Sequence, residues 1–193
     1  MTLFPQDPPT GKSARRTEAA SPAPAVGKSA PDSGKAAPTT GKPGWNDRGR
    51  GKALVLQFDG GSRGNPGPAG IGVTLMDADG DALYELGEFL GRCTNNVAEY
   101  TALLRGLTAA RDLGAAQLSV KSDSELLVRQ INGIYKVKSP DLKPLYEKAM
   151  SLIRVIGKVT VSHVYREGNT RADELANLAM DTLKKHEPLG PVN

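Results

Sequence analysis

Four carboxylates, Asp59, Glu99, Asp123 and Asp173, are the residues best suited to do chemistry in this sequence. Asp59 closes a β-rich apolar run at 53–59 (ALVLQFD), and Asp123 follows a further strand candidate at 117–122 (QLSVKS). Glu99 and Asp173 are expected in the first turns of two helices. Parallel strands bring their C-terminal ends to one edge, where α/β folds place their sites. Four acids meeting there repel one another unless cations intervene. Oxygen donors without His or Cys select Mg²⁺, with Mn²⁺ as a substitute. Two such ions about 3.5–4 Å apart are the usual device for in-line phosphodiester displacement. Taken singly, each acid has a simpler role. Glu99 is a favourable charge at a helix N-terminus. Asp59 and Asp123 are turn formers at strand ends, and Asp173 is one more first-turn acid. Their joint placement at one expected edge is what argues for a site.

The elements that must carry these acids follow from the hydrophobic period. Strands are expected at 53–59, 70–77 and 81–90, with Asp79-Gly80 as a hairpin turn, so the three form an antiparallel meander. Val97, Tyr100, Leu103, Leu104, Leu107, Ala110 and Leu113 then recur at helical spacing. Thr94, Asn95 and Asn96 offer caps at the start of that helix, and Gly114 stops it. A strand at 117–122, a short helix at 124–131, a helix at 140–156, a strand at 158–165 and a last helix at 170–185 complete the order βββαβααβα. This is an α/β pattern. Its strand–helix–strand units call for right-handed crossovers and parallel pairing beside the meander.

Charge and composition divide the chain of 193 residues unevenly. Residues 1–52 hold 9 Lys+Arg, 4 Asp+Glu and 8 of the 14 prolines, whereas residues 53–193 carry a net charge of −1. The expected organisation is a disordered basic Pro/Ala/Gly/Lys-rich tail at 1–52, a folded domain at 53–185 and a C-terminal tail at 186–193. Gly-Lys recurs five times between residues 11 and 52. A phosphate loop needs a Gly five residues before each Gly-Lys-Ser, and Gln6 and Pro22 stand there instead. The tail therefore reads as a solvated linker or as a basic arm that holds nucleic acid through phosphates. No apolar run approaches the roughly 18–20 residues of a membrane span, and the start MTLFPQDPPT lacks the basic and apolar regions of a signal peptide. Cys93 is the single cysteine, so no internal disulfide forms, and two histidines beside it are too few for a structural zinc site. A cytoplasmic monomer without a membrane partner is expected.

Four segments, FDGGSRGNPGPAGIG at 58–72, TNNVAEY at 94–100, SDSELLV at 122–128 and REGNTRADELA at 166–176, together resemble type 1 ribonuclease H, in its compact bacterial and archaeal branch. The resemblance covers about residues 53–185. It implies the ribonuclease H-like fold, a five-stranded mixed sheet flanked by helices. It implies endonucleolytic hydrolysis of the RNA strand of RNA–DNA hybrids by two-metal-ion catalysis, leaving 5′-phosphate and 3′-hydroxyl ends. Asp59, Glu99, Asp123 and Asp173 match the family's metal-binding acids. On this resemblance Asp59 bridges both ions, Asp173 joins it on the ion that activates water, and Glu99 and Asp123 hold the ion near the leaving oxygen. Gly60 and Gly61 would let a ribose approach the backbone. Asn95 and Asn96 would reach across the minor groove of the hybrid, and Thr94 would bind a phosphate of the DNA strand. Asn65 is either a turn former or a substrate contact.

Three departures qualify the resemblance. The loop before Asp173 holds Arg166-Glu-Gly-Asn169 where many family members carry a mobile His, so Arg166 is the expected catalytic group of that loop. His163, inside the fifth strand, is read as structural. Glu125 adds a negative charge two residues after Asp123, where some relatives carry a neutral amide. Only residues 132–140 (NGIYKVKSP) stand where some relatives insert a basic substrate handle, giving a weak basic patch or a plain solvated loop. Double-stranded RNA also presents a minor groove with 2′-hydroxyls, so activity on it is an alternative. A weakly active nucleic-acid-binding module on the same fold would be expected to have lost an acid, and none is lost.

Overall fold

The computed structural model describes residues 48–189. Its centre is a six-stranded mixed sheet in the order β5-β4-β1-β2-β3-β6. Strands β1 (Ala53–Ser62), β2 (Gly67–Met76) and β3 (Ala82–Cys93) form the expected antiparallel meander. β4 (Gln117–Ser122) and β5 (Val159–His163) extend it in parallel from β1, through crossovers that carry helices. The sixth strand, β6 (His186–Leu189), pairs antiparallel with β3. It lies in the stretch expected to be a tail, so the folded unit runs past residue 185. Leu183 in the left-handed region (φ 55°) ends the last helix and returns the chain to the sheet edge.

Helix α1 (Asn95–Asp112) follows the meander, α2 (Glu125–Ile131) and α3 (Lys143–Ile156) link β4 to β5, and α4 (Thr170–Thr182) follows β5. Helix α3 begins at Lys143, not at Pro140; Pro144 stands in its first turn, where a missing N–H costs nothing. The alternation of β1 puts Leu54, Leu56 and Phe58 in the core with Leu103 and Leu107 of α1. On the opposite face, α4 lays Ala172, Leu175, Ala176 and Ala179, all buried, against β1, β2 and β3. That approach is close because β2 and β3 offer glycine there. A Cβ added at Gly72 would overlap the Ala172 carbonyl, and one at Gly70 would come within 2.7 Å of the Ala176 oxygen.

The N-terminal boundary also moves. Gly51 N donates to Gly114 O at 3.1 Å, Ala116 N donates to Lys52 O at 2.9 Å, and Lys52 Nζ pairs with Asp77 at 3.3 Å. Residues 48–52 thus belong to the folded unit rather than to the tail. The reading of the remaining tail, 1–47, lies outside the described residues, as does that of 190–193. Among the described residues no helix is long and apolar enough to cross a membrane.

Candidate active site

The parallel pairing of β1 with β4 ends at Gln57 and Lys121, and Asp59 and Asp123 each stand two residues beyond it. Asp59 lies inside β1, which continues through Gly60 and Gly61 to Ser62 in its pairing with β2. Asp123 follows β4, where the buried Ser122 hydroxyl accepts from Ser124 N at 3.1 Å and shapes the exit. Glu99 enters from α1 and is 7% exposed. The first turn of α1 holds no acid, so Glu99 lies in the second turn and not in the first. A dipole effect fades within the first turn, so it does not account for a buried Glu99.

One carboxylate oxygen from each of Asp59, Glu99 and Asp123 lies within 4.8 Å of the others. Burial, then the neighbouring Asp59 and Asp123, pushes the Glu99 carboxyl up to about 9. Burial, then Asp123 and Asp173, pushes Asp59 up to about 6, with Arg166 opposing. Glu99 Oε2 is buried without a hydrogen-bond partner among the described residues. Crowded carboxylates and an orphaned buried oxygen fit a hard divalent cation, whose ligands are oxygens.

Asp173 occupies the first turn of α4, as expected, but stands apart from that trio. Its Oδ1 accepts from Arg166 Nη2 at 2.6 Å and its Oδ2 from Asn177 Nδ2 at 3.1 Å. Arg166 opens a short 3-10 turn, Arg166–Gly168, and is exposed. All four acids line one cleft of about 390 Å³, with Gly60, Gly61, Arg63, Asn95, Arg166 and Asn177 among its other walls.

The two glycines differ. A Cβ at Gly60 would overlap the backbone of Ala98 and Glu99, so Gly60 is needed to bring α1, and Glu99 with it, against β1. Its missing side chain is filled by the protein's own helix, a packing demand that stands beside its place on the wall of the cleft. A Cβ at Gly61 would meet only the flexible end of Met180 at 3.4 Å, so the space there opens on the cleft. Thr94 Oγ1 accepts from Val97 N at 3.3 Å and caps α1. Asn65 Oδ1 accepts from Asn95 N at 3.2 Å, a second cap supplied by the glycine-rich turn. Asn95 borders the cleft, and Asn96 is exposed on the first turn of α1.

His163 does end a strand, but it is exposed, edge-on to Tyr165 with 5.9 Å between ring centroids, and packs into no core. Glu125 is paired with Arg129 one helical turn on, at 2.6 Å, and burdens the cleft less than its charge suggested. In the loop after α2, the Arg129 guanidinium covers the Tyr135 ring at 5.2 Å while Ile134 is exposed. Sequence reasoning missed Arg63, Asn169 and Asn177. The available signal was position: Asn169 precedes Asp173 by one helical turn and Asn177 follows it by one.

Comparison with known proteins places this geometry. A family model described as reverse transcriptase-like matches residues 57–179. The chain is 42% identical over 132 residues to ribonuclease HI of Halobacterium salinarum, covering 68% of this chain and 66% of that one. It is 49% identical over 129 residues to the bifunctional protein Rv2228c of Mycobacterium tuberculosis, covering 66% of this chain but 35% of that protein. Among solved structures, LC11-RNase H1 in complex with an RNA/DNA hybrid is 44% identical, with a TM-score of 0.65, covering 67% of this chain and 98% of that one.

Proposed function

The chain belongs to the type 1 ribonuclease H family, and on that premise we propose that it is an endonuclease hydrolysing the RNA strand of RNA–DNA hybrids. The observation that carries the proposal is the convergence of Asp59, Glu99 and Asp123, with Asp173 and Arg166, on one open cleft. Asp59, Glu99, Asp123 and Asp173 would hold two divalent ions, Mg²⁺ by the hardness of the donors. When bound, such ions neutralise the acids, polarise the scissile phosphate and make water a stronger nucleophile.

The protein's own groups do the rest. Arg166 puts its guanidinium beside Asp173, where a phosphate would be held in a planar fork, while Arg63, on the same cleft, pairs with Asp181. The open space at Gly61 and the Asn95 amide at the rim suit a ribose with its 2′-hydroxyl in a shallow minor groove. Asp173, tied to Arg166 and Asn177, is available to the ions once a substrate phosphate competes for Arg166.

The test is cleavage of end-labelled RNA–DNA hybrid, RNA duplex and DNA duplex of one sequence, each with Mg²⁺, Mn²⁺ or chelator. Cleavage of the RNA strand of the hybrid, metal-dependent and leaving 5′-phosphates, is expected. Preference for the RNA duplex would transfer the proposal to that substrate, and no cleavage with either metal would refute it.

A further inference from the structure

Asn169 occupies the N-cap position of α4, yet its side chain makes no capping bond to that helix. An asparagine at this position ordinarily accepts from the second or third amide of its helix. Here the side chain is turned the other way, into the protein, and the residue is 1% exposed. Its Nδ2 donates to Phe58 O at 2.8 Å and to Asp123 Oδ1 at 3.3 Å. Both partners are pure acceptors, so only the orientation with nitrogen toward them is chemically allowed. Its main-chain oxygen accepts from Asp173 N at 3.2 Å. One residue thus touches the carbonyl just before Asp59, the carboxylate of Asp123 and the amide of Asp173.

That arrangement costs the fold something. Asn169 Oδ1 is buried with no hydrogen-bond partner among the described residues, and the cap of α4 is forgone. A fold selected only for stability would fill the position with a side chain that caps the helix or leaves no acceptor unmet. We infer that Asn169 is a positioning residue for metal binding: its amide fixes the Asp123 carboxylate and the β1 backbone at Asp59, so that the acids are held apart for a cation. The inference rests on the metal-site reading above. By donating to one oxygen of Asp123, Asn169 holds that carboxylate in one rotation and leaves the second oxygen free to ligate. Groups that orient metal ligands in this way typically change metal affinity or activity by about 10–100-fold when removed.

The test is Mg²⁺ titration of the full-length protein by calorimetry, without substrate, for the wild type and Asn169→Leu. Leucine keeps the branched shape, although it is bulkier, adds no charge and removes both the donor and the orphaned acceptor. The expected result is a Kd for Mg²⁺ raised about tenfold or more, with kcat falling at low Mg²⁺, recovering in part at high Mg²⁺, and KM for hybrid unchanged. A purely structural role would lower the melting temperature and leave the Kd of the folded protein at the wild-type value, and that result overturns the inference. A wild type that takes up no Mg²⁺ would sink the metal-site reading itself, and this inference with it. A second measurement needs no variant. In the wild type, the Asn169 side-chain amide resonances should shift as Mg²⁺ saturates the site, and resonances that stay still overturn the inference even if the leucine variant fails to fold.

Discussion

Arg166 and Asp173, seven residues apart, form an ion pair at 2.6 Å at the edge of the acid cleft. The arginine side chain is 74% exposed, and such pairs contribute about 0–1 kcal/mol. Arg166 is therefore a poor brace for the fold and a ready partner for an incoming phosphate. Arg166→Ala should lower kcat by about a hundredfold, the scale for losing one donor at a developing charge, with little change in KM or melting temperature. Arg166→Lys should recover only part, because a point charge lacks the planar fork. Steady-state kinetics with melting curves decide the matter. A large loss of stability in the alanine variant would make the pair structural.

Asp59 is crowded by Asp123 and Asp173 and is largely buried, and both effects disfavour its charge. Asp59→Asn keeps the shape and removes that charge. Cleavage of hybrid should be abolished, while in chelator the melting temperature should rise, by on the order of 1 kcal/mol of stability. Added Mg²⁺ should stabilise the wild type by preferential binding to the native state and leave the variant unmoved. Differential scanning calorimetry with and without Mg²⁺ tests both halves. A variant that melts earlier in chelator would mean that the acids are not in electrostatic conflict.

Much of this site was legible in the sequence because strand ends and helix starts carry local signatures. The apolar run 53–58 and the period from Val97 to Leu113 brought Asp59 and Glu99 to the correct elements. What was not legible depended on partners distant in the chain. Gly60, Gly61 and Ser62 have weak β propensity, and pairing with β2 makes them strand all the same. β6 is a four-residue segment containing Pro188, and it is a strand because it closes the edge of β3. Asn169 carries no local signature of its role, because only the assembled sheet brings Phe58 O and Asp123 beside it.

Gly60 and Gly61 are neighbours with opposite expectations. Gly60→Ala would drive a methyl into the backbone of α1 at Ala98 and Glu99, where nothing flexible can yield. Overpacking of this kind costs about 1–3 kcal/mol and occasionally more, and the displacement of Glu99 should remove activity as well. Gly61→Ala meets only the end of Met180, so its stability should stay near that of the wild type. If Gly61 lies beneath a ribose, its alanine variant should raise KM for hybrid with the melting temperature unchanged. Equal stabilities for the two variants would contradict the close approach of α1 to β1.

Residues 1–47 carry six Lys+Arg against four acids, and the folded unit from residue 48 onward has a net charge of only +2 over 146 residues. A nuclease with so little general attraction for a polyanion gains most from a basic segment that binds phosphates without sequence preference. Removal of residues 1–47 should raise KM on long hybrids and leave kcat nearly unchanged. The difference should shrink as salt rises, because each phosphate contact releases counterions. Removal through residue 52 should do something more. It deletes the Gly51 amide bond to Gly114 O, the Lys52 carbonyl that Ala116 N uses, and the Lys52 pair with Asp77. Stability should then fall by about 0.5–1.5 kcal/mol per backbone bond lost, the net scale for a hydrogen bond whose groups can turn to water. Kinetics at low and high salt, with melting curves on both truncations, separate the two effects. Equal KM values for full-length protein and the shorter truncation at low salt would leave the segment with no part in substrate capture.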